Sequence, residues 1–107
     1  MLRPDSYIGA HRSEIVSAAL KHGLPTVATT PDFVREAGAL MSYSWAEAEA
    51  SRRAASFVDR ILRGAKPADL PVEQPTKFEL VINLKTANAL RISVPQALLL
   101  RADEVIQ

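Results

Sequence analysis

Leu24-Pro25-Thr26-Val27-Ala28-Thr29-Thr30-Pro31-Asp32-Phe33-Val34-Arg35-Glu36-Ala37-Gly38-Ala39-Leu40-Met41-Ser42-Tyr43 reads as strand, helix and strand within twenty residues. Residues 25–30 are rich in β-branched side chains, which suit a pleated, half-buried surface. Thr30-Pro31 predicts a helix cap with proline at the first helical position, where its missing N–H costs nothing. A brief helix over 32–37 is then closed by Gly38, and residues 40–43 form a second short strand. Strands separated by short helices argue for an α/β layer with parallel strands.

Upstream, Ile8, Ile15, Val16, Ala19 and Leu20 recur at helical spacing between Arg12, Glu14 and Lys21. The spacing predicts one amphipathic helix over 7–22, stopped by Gly23. Downstream, the longest helix is expected over 45–63, with Ser44 and Glu47 as a capping box. Ala50, Ala54, Phe57, Val58 and Ile61 form its apolar stripe, Glu49–Arg53 and Asp59–Arg63 are i,i+4 pairs, and Gly64 ends it. Three prolines within residues 65–75 predict an extended connector, which runs to residue 76. Alternation over 78–84 predicts a strand with one fully buried face. A short helix follows over 85–90, with Asn83 or Thr86 near its start, then a helical turn opened by Pro95 and a tail from Ala102.

Composition narrows the function classes. The 107 residues carry a net charge of +1, 48% hydrophobic and 23% charged residues, and no cysteine. That balance fits a packed α/β fold, not disorder, and removes disulfide scaffolds, zinc ribbons and thiol catalysis. Acids and bases are equal in number through Arg53, so no basic arm exists to neutralise phosphates, which argues against a nucleic-acid partner. No apolar run reaches the roughly 18 residues of a membrane span, and the polar Arg3-Pro4-Asp5-Ser6 leaves no room for the apolar core of an export signal.

Nothing in the pattern supports an enzyme, a metal site or a cofactor. His11 and His22 fall on nearly one helix face but about 16 Å apart at the α-helical rise, too far to share a metal ion. Asp103-Glu104 reads as a solvated end, not a catalytic dyad. Gly64-Ala65-Lys66 lacks a phosphate-cradling loop, and there is no nucleophile elbow. In open parallel sheets ligands bind beyond the carboxyl ends of the strands, which selects Thr29 and Thr30 after the first strand and Ser42, Tyr43, Ser44 and Trp45 at the end of the second. An aromatic ring beside hydroxyls suits a small organic ligand. A purely structural reading stands beside it: Thr30 and Ser44 as helix caps, Tyr43 in the core, and Trp45 over the sheet edge.

Leu40-Met41-Ser42-Tyr43, then Arg52-Arg53-Ala54-Ala55, then Asp59-Arg60-Ile61-Leu62-Arg63-Gly64-Ala65-Lys66-Pro67-Ala68-Asp69-Leu70-Pro71-Val72-Glu73-Gln74-Pro75 with its continuation through Phe78-Glu79-Leu80-Val81-Ile82-Asn83-Leu84-Lys85-Thr86-Ala87, and the closing Ala102-Asp103-Glu104-Val105-Ile106, resemble the C-terminal third of a bacterial family of ABC-transporter substrate-binding proteins. The resemblance implies a portion of a type I periplasmic binding fold: Rossmann-like α/β lobes that close on a solute in the cleft and present it to an ABC permease in the periplasm. Residues 1–41 would then end the second lobe, and 42–107 would form a hinge crossover with part of the first lobe. Exposed faces left by a partial fold predict a homodimer or a strand- or helix-exchanged assembly. Two alternatives remain open at this stage: a truncated fragment that only self-associates, and the effector-sensing domain of a transcription regulator. The sequence departs from the family twice. Ser42-Tyr43-Ser44-Trp45-Ala46 stands where the family usually has Ser-Tyr-Gly-Pro-Asn, and Arg91 stands where it has glycine after Ala89-Leu90.

Overall fold

A computed structural model describes all 107 residues. The chain forms two compact units, Met1–Ser44 with Glu79–Gln107, and Trp45–Phe78. The helices are α1 (Ser6–Ala10), α2 (Arg12–Lys21), α3 (Asp32–Arg35), α4 (Glu47–Leu62), α5 (Leu84–Ala89) and α6 (Gln96–Arg101). The strands are β1 (Val27–Ala28), β2 (Met41–Trp45), β3 (Phe78–Asn83) and β4 (Glu104–Ile106).

The four strands form one sheet in the order β1-β2-β3-β4. β1 and β2 are parallel, with Val27 opposite Met41 and Ala28 opposite Ser42. β3 and β4 are also parallel, with Val81 opposite Glu104 and Asn83 opposite Ile106. The result is the expected α/β architecture with mostly parallel strands. Leu80 to Asn83 are buried on both faces of β3, as in a strand covered on either side of its sheet, so its burial is continuous and not alternating. The tail expected from Ala102 is the strand β4.

In the larger unit the core is Val16, Ala28, Phe33, Val34, Ala39 and Val81, with Leu2, Ile8, Leu20, Ala37 and Ile106 packed against it. Val81 and Ile106 therefore share a core with residues before Ser44. Glu79–Gln107 belongs to the same compact unit as Met1–Ser44. The Asn83 N–H reinforces that grouping by donating to the Leu40 carbonyl at 2.8 Å.

The single helix expected over 7–22 is broken at His11, whose backbone lies outside the helical region at φ −109° and ψ 19°. Two carbonyls that would continue the helix, those of Ile8 and Gly9, have other donors. The His11 N–H reaches the Tyr7 and Ile8 carbonyls at 3.2 Å each, the ring Nδ1 meets the Tyr7 carbonyl at 2.9 Å, and Arg12 donates to the Gly9 carbonyl at 3.0 Å. Asp5 starts α1 by accepting from the Tyr7 and Ile8 N–H groups at 2.9 and 3.2 Å.

α2 and α5 end alike. After α2, Gly23 donates to Leu20 and Leu24 to Ala19; after α5, Arg91 donates to Asn88 and Ile92 to Ala87 at 2.8 Å. This double closure needs a left-handed residue. Gly23 supplies it at φ 69°, and Arg91 adopts it at φ 57° despite its side chain. Asn83 caps the start of α5 by accepting from the Thr86 N–H at 3.1 Å. The Thr86 hydroxyl donates at 2.7 Å to the Gly38 carbonyl, tying α5 to the turn after α3.

In the smaller unit α4 begins at Glu47, not at residue 45, and its N-cap is Ala46 with no side-chain cap. The Ser44–Glu47 capping box does not form, because the chain stays extended through Trp45 and the Ala46 N–H donates to the Lys77 carbonyl at 2.9 Å. The predicted pairs are present, with Glu49–Arg53 at 3.5 Å and Asp59–Arg63 at 3.0 Å. The connector contains one 3-10 turn, Pro67–Asp69, with proline in its first turn. No residue from Trp45 through Phe78 is buried, so the stripe of Ala50, Ala54, Phe57, Val58 and Ile61 has the predicted spacing without the expected cover.

Candidate functional site

The parallel register of β1 and β2 brings two of the sequence-selected segments to one end of the sheet. Ala28 lies opposite Ser42, so Thr29 and Tyr43 are the next residues of two neighbouring strands, followed by Thr30 and Ser44. Thr29 is half-buried, and its hydroxyl donates to the Leu2 carbonyl at 3.4 Å. Thr30 is half-buried and does not cap α3, whose N-cap is Pro31 without a side-chain bond. Tyr43 is 56% exposed, which removes the reading of its ring as core.

Ser42 differs from its neighbours. It is fully buried, and its Oγ has no hydrogen-bond partner, so it does not face solvent with Tyr43. Alternation along β2 explains the contrast, since successive side chains point to opposite faces. Ser44 is half-buried. Trp45 is 55% exposed and begins the smaller unit. Hydroxyls both donate and accept, and a phenol offers an apolar face as well. Thr29, Thr30 and Tyr43 have the chemistry to hydrogen-bond and stack on an uncharged part of a small organic molecule, whereas Ser44 lies on the Ser42 face of β2, opposite Tyr43.

No three His, Asp or Glu side chains converge to hold a metal ion. His11 packs on Tyr7 with ring centroids 4.3 Å apart, and His22 ends α2. No helix is long and apolar enough to cross a membrane.

Two polar clusters have no distinctive sequence signature. Arg35 donates through Nε to Glu104 at 2.8 Å and through a terminal nitrogen to Glu79 at 2.7 Å. The hydrogen bond to Glu104, with that to Glu79, holds the guanidinium above its ordinary pKa against a smaller opposing effect of burial. In the smaller unit Arg53 donates to the Gln74 carbonyl at 3.4 Å and the Thr76 hydroxyl at 3.1 Å, and pairs with Glu73 at 3.4 Å. It thereby fastens the connector along α4. Beside it lies a groove of about 240 Å³ whose apolar lining includes Ala50, Ala54, Phe57 and Pro75. Partners of this kind are 20 or more residues apart, beyond the reach of helix or strand periodicity.

Among solved structures, the chain is similar to a conserved domain protein from Vibrio cholerae, with 28% identity and a TM-score of 0.84 over 96% of this chain and 34% of that one. It is also similar to an ABC domain from Streptococcus pneumoniae in complex with L-Trp, with 29% identity and a TM-score of 0.82 over 95% of this chain and 35% of that one. A ligand-free, open substrate-binding protein with adhesive properties from Clostridium difficile shares the fold at 18% identity, with a TM-score of 0.70 over 98% of this chain and 35% of that one. The chain thus spans about a third of the length of these structures. No match is found among curated proteins. The family model described as ABC transporter substrate binding protein matches residues 1–106. Together with the mostly parallel α/β sheet, that match establishes that the chain belongs to the ABC transporter substrate-binding protein family.

Proposed function

We propose that the chain is part of the solute-binding component of an ABC importer, which captures a small solute in the periplasm and hands it to a permease. The observation that carries this reading is the family match over residues 1–106. The family is one of binding proteins, so the proposed role is capture and delivery without catalysis. Thr29, Thr30 and Tyr43 are proposed as solute contacts of the larger unit, with Tyr43 offering the largest exposed surface. The likeness to a structure in complex with L-Trp makes aromatic amino acids the first class to try.

Thermal-shift screening of the protein against L-Trp, other amino acids, sugars and purines, followed by calorimetric titration of any hit, tests the reading. One class should raise the melting temperature, and Tyr43→Ala should weaken its binding about tenfold, the loss of roughly 1.4 kcal/mol. Absence of heat and of any shift across all three classes would overturn it.

A further inference from the structure

Tyr7 follows the chain off the same end of the sheet as Thr29 and Tyr43. Leu2 bridges Ala28 in parallel, so the chain leaves the sheet beside Thr29, whose hydroxyl bonds the Leu2 carbonyl, and turns into α1 at Asp5. Tyr7 is 71% exposed, yet its backbone and its ring are both held. The N–H donates to the Asp5 carboxylate at 2.9 Å. The carbonyl accepts from the His11 N–H at 3.2 Å and from the His11 ring Nδ1 at 2.9 Å. The phenol ring packs on the His11 ring with centroids 4.3 Å apart and planes tilted by 33°. A carbonyl can only accept, so Nδ1 carries a proton and the imidazole is fixed through both its nitrogen and its face. Ile8, the next residue, packs against the core and anchors α1.

A single exposed aromatic ring is ordinary. A ring braced from behind is not, because the rotamer freedom that an exposed tyrosine would lose on contact is already restricted. His11 takes one face of the Tyr7 ring and leaves the other to solvent. Ligands of open α/β sheets bind beyond the carboxyl ends of the strands, and α1 begins there. We propose that Tyr7 is a further solute-contacting residue of the larger unit, which presents its free face to a planar ring of the solute, with His11 as the positioning residue behind it. The inference rests on the solute-binding reading and narrows its solute to compounds that carry an aromatic ring. Such a ring can stack offset or edge-to-face on Tyr7, and an aliphatic side chain cannot.

Calorimetric titration of L-Trp, L-Phe and L-Leu into the protein and its variants tests the proposal, with urea midpoints of the free proteins as the control for folding. L-Trp and L-Phe should bind Tyr7→Phe within about twofold of wild type, and Tyr7→Leu, which keeps apolar bulk without a ring, about tenfold more weakly. His11→Ala should weaken both by about threefold, and His11→Phe, which returns a ring to the back of Tyr7, should recover that loss. Tyr7 is largely exposed, so the urea midpoint of Tyr7→Leu should stay near that of wild type. If it falls, the two His11 variants decide, and equal affinities of L-Trp for them would overturn the proposal. Tyr7→Leu binding L-Trp as tightly as wild type would overturn it and leave the importer reading standing. So would wild type binding L-Leu as tightly as L-Trp, or a sugar in place of every ring-bearing compound. Absence of binding by wild type across amino acids, sugars and purines would overturn the importer reading and this inference with it.

Discussion

Leu80 and Asp103 close a reciprocal pair: the Leu80 N–H donates to the Asp103 carboxylate at 2.8 Å, and the Asp103 N–H donates to the Leu80 carbonyl at 2.9 Å. The aspartate side chain serves as one more backbone acceptor at the entrance of β4, where the ladder with β3 begins at Val81 and Glu104. Leu80 is buried and Asp103 is exposed, so the bond sits half-buried at the edge of the core.

Asp103→Ala should remove a half-buried hydrogen bond and cost about 0.5 to 1.5 kcal/mol. Asp103→Asn keeps a carbonyl oxygen in place and should cost less. Urea denaturation of the three proteins checks the order, and equal midpoints would show that the bond contributes nothing.

Arg91→Gly should stabilise the protein. The left-handed conformation costs a non-glycine residue about 1 to 2 kcal/mol, and the greater freedom of glycine in the unfolded chain returns about half of that. A gain on the order of 0.5 to 1 kcal/mol is expected in chemical denaturation, whereas Arg91→Val should lose stability, since a β-branched residue tolerates φ 57° less well.

Ser42→Ala removes a fully buried hydroxyl that has no partner. Its cost should be near zero, with a gain of up to about 1 kcal/mol from lifting the desolvation of that group. Binding of any solute found by the screen should be unchanged, because Ser42 does not face solvent; a tenfold weaker Kd would contradict this placement.

Arg35→Met should destabilise the larger unit by about 1 kcal/mol or less, since the ion pairs with Glu79 and Glu104 are partly exposed. The effect should shrink between low and high salt as the charges are screened. Arg35 has a raised folded pKa, so the stability it contributes through that shift is fully present below the ordinary arginine range and is lost only as pH rises through the folded value. The difference from wild type attributable to arginine ionisation should therefore be flat between about pH 6 and 9, which melting curves across that range check.

The elements that were legible in the sequence are those whose signal is local. The strand–helix–strand of residues 24–43, the start of α5 at Asn83 and the ion pairs along α4 all follow from short-range spacing or capping chemistry. The misreadings arose where distant partners decide. Ser44 is a good cap in isolation, but the Lys77 carbonyl keeps the chain extended past it. Residues 102–106 have too few neighbours in sequence to announce a strand; β3 makes them one. In the candidate site, the parallel course of β1 and β2, which puts Thr29 and Tyr43 just beyond the Ala28–Ser42 pair, follows from the strand–helix–strand pattern. The burial of Ser42 does not, because alternation along β2 has no phase until the sheet supplies its faces.

β1 is only two residues long, and Leu2 lies on its outer side, donating to the Val27 carbonyl at 2.7 Å and bridging Ala28 in parallel. Leu2 thus seals what would otherwise be a naked sheet edge open to strand addition by other molecules. An affinity tag joined directly before Leu2, or a polar residue in its place, would unzip that seal. Recombinant forms with such changes should clump more readily on storage than forms tagged after Gln107.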